Sequence, residues 1–402
     1  MRRRIVMMGL VVMGGLVPPW TSAFAQTIKV GVAVSLTGRF AMEGKLVYDG
    51  NKLWMEEVNK RGGINVGGTR MKVDLVSYDD KGETQTAVDL TEKLITQDKV
   101  RFLFSPFSSV ITQQTSVVNE KYKVLTIAPV GASDTIYERG FKYIFSILPP
   151  SSAYFHRVLD MGAELRDRPK TLAILAGNQQ FTLIVGKGAE DYARRLGYDV
   201  VYNEKFPTPA TDLSVFLAQI KAKNADMVLV ASYFQEALLA SKQAKELKVC
   251  PKLLAFSVGP EIPDFAQQLG KDAEYLVGSA WWLPNMGWKG PDFGSSQDYA
   301  RLVKEKYGSV AGYHVASGTA AGHLLQLAIE KAGSLETDKV RAALLSIDQE
   351  TFWGPTKWNE QGKNVKGGQG VIQIQDANIT TVYPGRIREK ALVYPMPCWD
   401  KR

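Results

Sequence analysis

From Ile28 onward, short apolar runs rich in β-branched residues alternate with longer segments whose apolar positions recur at helical spacing. Ile28 to Leu36, Val73 to Tyr78, Val100 to Phe104 and Val124 to Ile127 read as strands, short and apolar throughout as buried parallel strands are. Between them, Lys45 to Lys60, Thr84 to Gln97 and Ser109 to Lys121 read as amphipathic helices. Val47, Gly50, Trp54 and Val58 share one face of the first, and Ala87, Leu90 and Leu94 one face of the second. After Pro149-Pro150 the rhythm restarts. Helices are expected over Ser151 to Leu165, Gly186 to Leu196, Asp212 to Lys221 and Gln235 to Leu247. They alternate with strands over Thr171 to Leu175, Val200 to Phe206, Met227 to Ala231 and Lys252 to Phe256. Beyond Trp281-Trp282 come helices over Gln297 to Tyr307, Val315 to Lys331 and Thr337 to Leu345, then a strand-like tail from Gly370. The pattern predicts an α/β protein of two doubly wound parallel-sheet units with no flexible linker between them. A ligand cleft is expected outside the carboxyl ends of the strands.

The amino terminus changes where such a protein would work. Arg2 to Arg4, the uncharged run Ile5 to Val17 and Ala23-Phe24-Ala25 read as an export signal cleaved near Ala25. The run, about 13 residues, is too short to span a bilayer. A soluble periplasmic protein is expected, with no cysteine after the cleavage motif to carry a lipid. At 402 residues the chain outgrows one core, and its charge of +8 is spread among acids, which argues against a nucleic-acid surface. Cys250 and Cys398 read either as a bridge or as two isolated thiols.

Catalytic and cofactor patterns are missing, so the chain does not read as an enzyme. Gly38 to Lys45 resembles a phosphate loop but has one residue too many between its glycines and Leu46 where Ser or Thr is required, so it reads as a strand-to-helix turn. Neither a dinucleotide fingerprint nor a nucleophile elbow follows any strand. His156, His314 and His323 lack metal-ligand spacing, and Asp79-Asp80 reads as a structural turn. No cofactor and no metal are expected.

Two strand ends carry small hydroxyl residues at expected helix starts, Ser105-Pro106-Phe107-Ser108-Ser109 and Pro129-Val130-Gly131-Ala132-Ser133. Unpaired N–H groups there can hold a carboxylate, with plain N-capping as the alternative. Phe107, Phe181, Tyr233 and Trp281-Trp282 supply aromatics to the expected cleft, or to the core.

The run IKVGVAVSLTGRFAMEGKLVYDGNKLWMEEVNKRGGI, with VDLVSYDDKGETQTAVDLTEKLITQDKV, FSPFSSVITQQTSVVNEKYKVLTIAPVGAS and FWGPTKWNEQGK further on, resembles the leucine/isoleucine/valine-binding family of type I periplasmic binding proteins. The resemblance implies two lobes joined by three crossovers, near Ile144 to Pro150, Ser279 to Pro284 and Phe352 to Lys357. The lobes would be residues 26–146 with 281–352, and 147–280 with 353–402. It implies capture of a hydrophobic amino acid or related small carboxylate for an ABC permease, and the protein is expected to be a monomer. Ser108 matches the family's carboxylate-binding serine, and the backbone of Val130 and Gly131 the adjoining wall. Ala132 stands where the family has threonine, with Ser133 beside it. Phe181 replaces a usual tyrosine and Tyr233 matches another. The acid that neutralises a ligand ammonium falls near Val258 or Glu261. The aromatics keep an aromatic carboxylate, such as a benzoate or hydroxycinnamate, as the alternative solute.

Overall fold

A computed structural model describes residues 27–402, so the expected export signal lies outside the described residues. Five parallel strands make the first sheet: β1 (Ile28–Val34), β2 (Val73–Asp79), β3 (Phe102–Phe104), β4 (Thr126–Ala128) and β5 (Ile144–Ser146), in the order β2-β1-β3-β4-β5. The second sheet takes β6 (Thr171–Gly177), β7 (Asp199–Phe206), β8 (Met227–Ala231), β9 (Leu253–Phe256) and β10 (Val277–Ala280). It is completed by β11 (Gly370–Gln375) and β12 (Asn378–Tyr383), in the order β12-β11-β10-β9-β8-β6-β7. Its first five strands in chain order are parallel, and β11 and β12 are added antiparallel.

The helices alternate with these strands: α1 (Ala41–Lys60), α2 (Thr84–Thr96), α3 (Ser109–Tyr122), α4 (His156–Glu164), α5 (Gln180–Arg195), α6 (Ser214–Lys223), α7 (Phe234–Glu246) and α8 (Pro263–Leu269). Between β10 and β11 come α9 (Ser296–Tyr307), α10 (Tyr313–Ala332) and α11 (Thr337–Leu345). Helix α10 returns to the first sheet's elements and lies against α1. Its backbone approaches so closely that a Cβ on Gly50 would come within 2.1 Å of the Val315 carbonyl, and one on Gly318 equally near that of Val47. Asn51 Nδ2 donates to the Gly318 carbonyl at 2.8 Å, and Thr319 Oγ1 to that of Gly50 at 2.8 Å. Glycine at both positions lets two backbones meet where side chains would hold them apart.

Several details depart from the sequence pattern. Ile144–Ser146 and Val277–Ala280 are strands, so the chain crosses between the sheets after them and not through them. The helix expected over Ser151 to Leu165 divides into a 3-10 turn at Ser151–Ala153 and α4, because Asp134 accepts from Ser151 Oγ and from the amide and hydroxyl of Ser152 at 3.2 Å each. Helix α5 starts six residues early. Thr182 Oγ1 accepts the Gln179 N–H at 3.3 Å and donates to the Gly177 carbonyl at 2.5 Å, which turns the chain into a helix directly off β6. The second hydroxyl-rich junction leads only to a 3-10 turn, Asp134–Ile136, so the helix start expected after Ala128 is absent and only α3 offers one. Cys250 and Cys398 are bridged, with Cα atoms 5.2 Å apart, and fasten the carboxyl-terminal tail to the loop that leads into β9. Among the described residues no helix is long and apolar enough to cross a membrane, and no cluster of His, Cys, Asp or Glu could hold a metal ion.

Candidate functional site

The carboxyl ends of β3 and β4 face those of β6, β8 and β9, and the segments leaving these strands line one cavity. Phe107, Ser108, Ser109 and Val130 come from the first sheet's strand ends, and Phe181, Tyr233 and Val258 from the second's. Tyr154 enters after the first crossing, and Tyr313 and His314 from the first turn of α10. The cavity is almost closed, with about 10 Å3 of room against the several hundred of an ordinary ligand pocket, so a solute enters only when its walls part. An open groove of about 460 Å3 beside α5 and β7 is larger. Its lining comes mainly from the second sheet's elements, and no partnerless buried polar atom lines it.

Aromatic rings make most of the wall. Tyr233 stacks on Phe181 at 5.2 Å and meets Phe107 edge-on at 5.7 Å across the cleft, while Tyr154 meets Phe181 edge-on at 4.9 Å. His314 stacks on Tyr313 at 4.1 Å. Burial pushes its imidazole down to about 3, so it stands in the cavity as a neutral ring and not as a cation.

Of the buried polar atoms without a partner among the described residues, one lines this cavity and another lies beside it. The Ser108 hydroxyl, buried at the amino end of α3, has no hydrogen-bond partner, and neither does Glu261 Oε1. Glu261 Oε2 accepts the Gly259 N–H at 2.9 Å. Glu261 stands three residues beyond Val258, with its charge felt by the Tyr154 and Tyr313 phenols. Burial raises its carboxyl to about 8, against the smaller opposing effect of its backbone hydrogen bonds, and the nearby Glu43 carboxyl adds to the rise. A buried donor and a buried acid with nothing to bind are costly groups in a folded chain, tolerated where something else completes them.

Phe107, Ser108, Val130, Phe181 and Tyr233, all singled out in the sequence, line the cavity together. Gly131, Ala132, Ser133 and Trp281 do not. Gly131 packs on Thr112 and its carbonyl accepts from Tyr137 Oη at 2.5 Å; the Ala132 carbonyl accepts from Ser151 N at 2.9 Å; Ser133 N donates to Ser109 Oγ at 3.2 Å. Trp281 lies behind Tyr154, ring centroids 5.2 Å apart. Tyr154, Tyr313 and His314 were missed, because the first follows a crossing and the other two open a helix that periodicity alone starts at Val315. Val258 supplies an apolar wall, and Glu261, the acid of the two positions, stands beside the cavity outside its lining. Asp79 and Asp80 are structural, as expected: Asp79 accepts from Leu36 N and Thr37 Oγ1, and Asp80 from Ser35 Oγ at 2.7 Å.

Two α/β units facing one another across an aromatic cavity, with an unmatched serine hydroxyl in its wall, define a two-lobed binding protein. A periplasmic-binding-protein family model matches residues 27–378, and the chain belongs to that family, in its leucine/isoleucine/valine-binding branch. A Leu/Ile/Val-binding protein homologue of Brucella abortus is 25% identical over 378 residues, covering 89% of this chain and 91% of its own. The leucine-binding protein of Thermotoga maritima shares the fold at a TM-score of 0.79 and 19% identity, over 88% of this chain and 97% of its own. A solute-binding protein of R. palustris, solved with benzoate, superposes at 0.76 with 17% identity, over 89% and 95%.

Proposed function

We propose that this protein is the periplasmic solute receptor of an ABC importer and captures a hydrophobic amino acid by lobe closure, without chemistry on it. The observation that carries the reading is the pair of unmatched groups: the Ser108 hydroxyl at the start of α3 for a carboxylate, and the Glu261 oxygen for an ammonium. The aromatic wall between them suits an apolar side chain. The units that move are residues 26–146 with 281–352 and residues 147–280 with 353–402, and a monomer presents both to the permease. Closure shifts a hinge equilibrium by differential affinity for the two forms.

A second reading has its own observation. With its carboxyl raised to about 8, Glu261 is protonated at neutral pH and can donate to a ligand carboxylate, and the rings accept an aromatic body. A benzoate or hydroxycinnamate then fills the site. A thermal-shift screen of the mature protein with leucine, isoleucine, valine, phenylalanine, benzoate and hydroxycinnamates separates the two. A solute at a hundredfold its Kd adds about 2.7 kcal/mol of stability. Shifts confined to the acids without an amine would exclude the amino-acid reading, and shifts with none of the six would exclude both.

Ser108→Ala weakens either class of carboxylate, by about tenfold or more for the lost charge-assisted hydrogen bond. Isothermal titration with whichever solute shifts most reads this directly. Unchanged affinity would remove Ser108 as the anchor.

A further inference from the structure

The turn between β1 and α1 reaches across the cleft to the amino end of α7, at residues that do not line the cavity. Arg39 Nη2 donates to Glu236 Oε1 at 2.5 Å, with the Glu236 side chain only 3% exposed. Glu43 Oε1 accepts the Phe234 N–H at 3.1 Å, so a first-lobe carboxylate takes one of the free amides opening a second-lobe helix. Between these two contacts Phe40 meets the Tyr233 ring edge-on at 5.1 Å, and the Arg39 guanidinium lies 5.2 Å from the Phe40 ring.

We propose that Arg39 and Glu43 form a clasp on the first turn of α7 that holds the closed form and slows solute release without touching the solute. The inference rests on the closure reading given above. Only α7 joins the clasp to the second lobe, so parting the lobes breaks both contacts together. The turn that carries it is firmly mounted. Ser35 and Thr37 are tied to Asp80 and Asp79, and a Cβ on Gly38, whose φ is +78°, would fall 2.0 Å from the Lys81 carbonyl. Arg39 and Glu236 are largely withdrawn from water, where an ion pair is less screened and where losing one partner strands the other. That explains the aspartate pair and the glycine-bounded turn, neither of which the solute site uses. Positioning residues of this kind act on departure, since loss of one partner of a buried pair speeds dissociation more than it slows encounter.

The test compares wild type with Arg39→Met, Glu236→Gln, Glu43→Gln and the swap Arg39→Glu with Glu236→Arg. Small-angle scattering measures compactness, alone and with excess L-leucine, L-phenylalanine or benzoate. Stopped-flow tryptophan fluorescence measures binding and release of whichever of these contracts the wild type. Each single variant is expected to be more extended than wild type in the same solution and to release about tenfold faster, with the on-rate within about twofold. The swap recovers part of both. Variants as compact as wild type and releasing at its rate overturn the clasp. If none of the three solutes contracts the wild type, capture by closure fails on its own, whereas contraction shared equally by wild type and variants defeats the clasp alone.

Discussion

Glu261→Gln is expected to cost amino-acid binding about a hundredfold or more while leaving acids without an amine bound as well as before. A zwitterion brings its ammonium into a site shielded from water, where an unpaired charge is expensive and removal of one partner of a buried pair costs about 3–5 kcal/mol. Glutamine keeps the shape and still accepts the Gly259 N–H, which Glu261 Oε2 accepts at 2.9 Å, so folding is spared. Only the charge is lost. Titrating the variant with phenylalanine and with its deaminated counterpart, 3-phenylpropionate, isolates the amine, because the two differ in nothing else. Equal loss of both would mean that the substitution has disturbed the cavity and not the ammonium site. Undiminished phenylalanine binding would remove Glu261 from recognition.

The parts of this design that local pattern encodes were legible in the sequence. β-branched runs such as Met227 to Ala231 and helical stripes such as Thr337 to Leu345 match the observed elements closely, because strand burial and helix amphipathicity both act over a few residues. Strand ends were legible for the same reason, and they carried Phe107, Ser108, Val130, Phe181 and Tyr233 to the cavity. The return of α10 to α1 was not legible from periodicity. It depends on Gly50 and Gly318 meeting across more than 260 positions, and family resemblance supplied it instead. A crossing hid Tyr154, and Tyr313 and His314 stand before the first apolar position from which periodicity starts α10. Gly131, Ala132 and Ser133 were over-read, since Asp134 closes that segment into a 3-10 turn whose polar groups serve neighbours.

Raising pH from about 6.5 to about 8 is expected to destabilise the protein without solute, and the same rise is expected to tighten its grip on an amino acid. Glu261 ionises near 4.5 when unfolded and near 8 when folded, because burial disfavours its charge. Its proton is therefore held in both states below pH 4.5, and the folded state alone keeps it between the two values. Stability is full below the unfolded value and is lost as pH rises through the folded one, on the order of 4 kcal/mol if Glu261 acted alone. Glu43, raised by burial to about 7, acts in the same direction, with Glu236 adding to the rise and Arg39 opposing it. His314 opposes them below its ordinary value of 6.5, since burial holds it down to about 3 and its contribution is lost as pH falls from 6.5; Asp292, held below the ordinary range by the His323 hydrogen bond, loses its own only in acid. Urea unfolding of wild type, Glu261→Gln and Glu43→Gln at several pH values checks the slope, which each substitution should flatten. A wild-type profile that is level between about pH 6.5 and 8 would sink the account. An ammonium replaces the proton on Glu261, so amino-acid binding releases that proton and strengthens with pH up to about 8. A benzoate needs the proton kept and weakens over the same range. The sign of the pH dependence of affinity therefore names the class of solute independently of any variant.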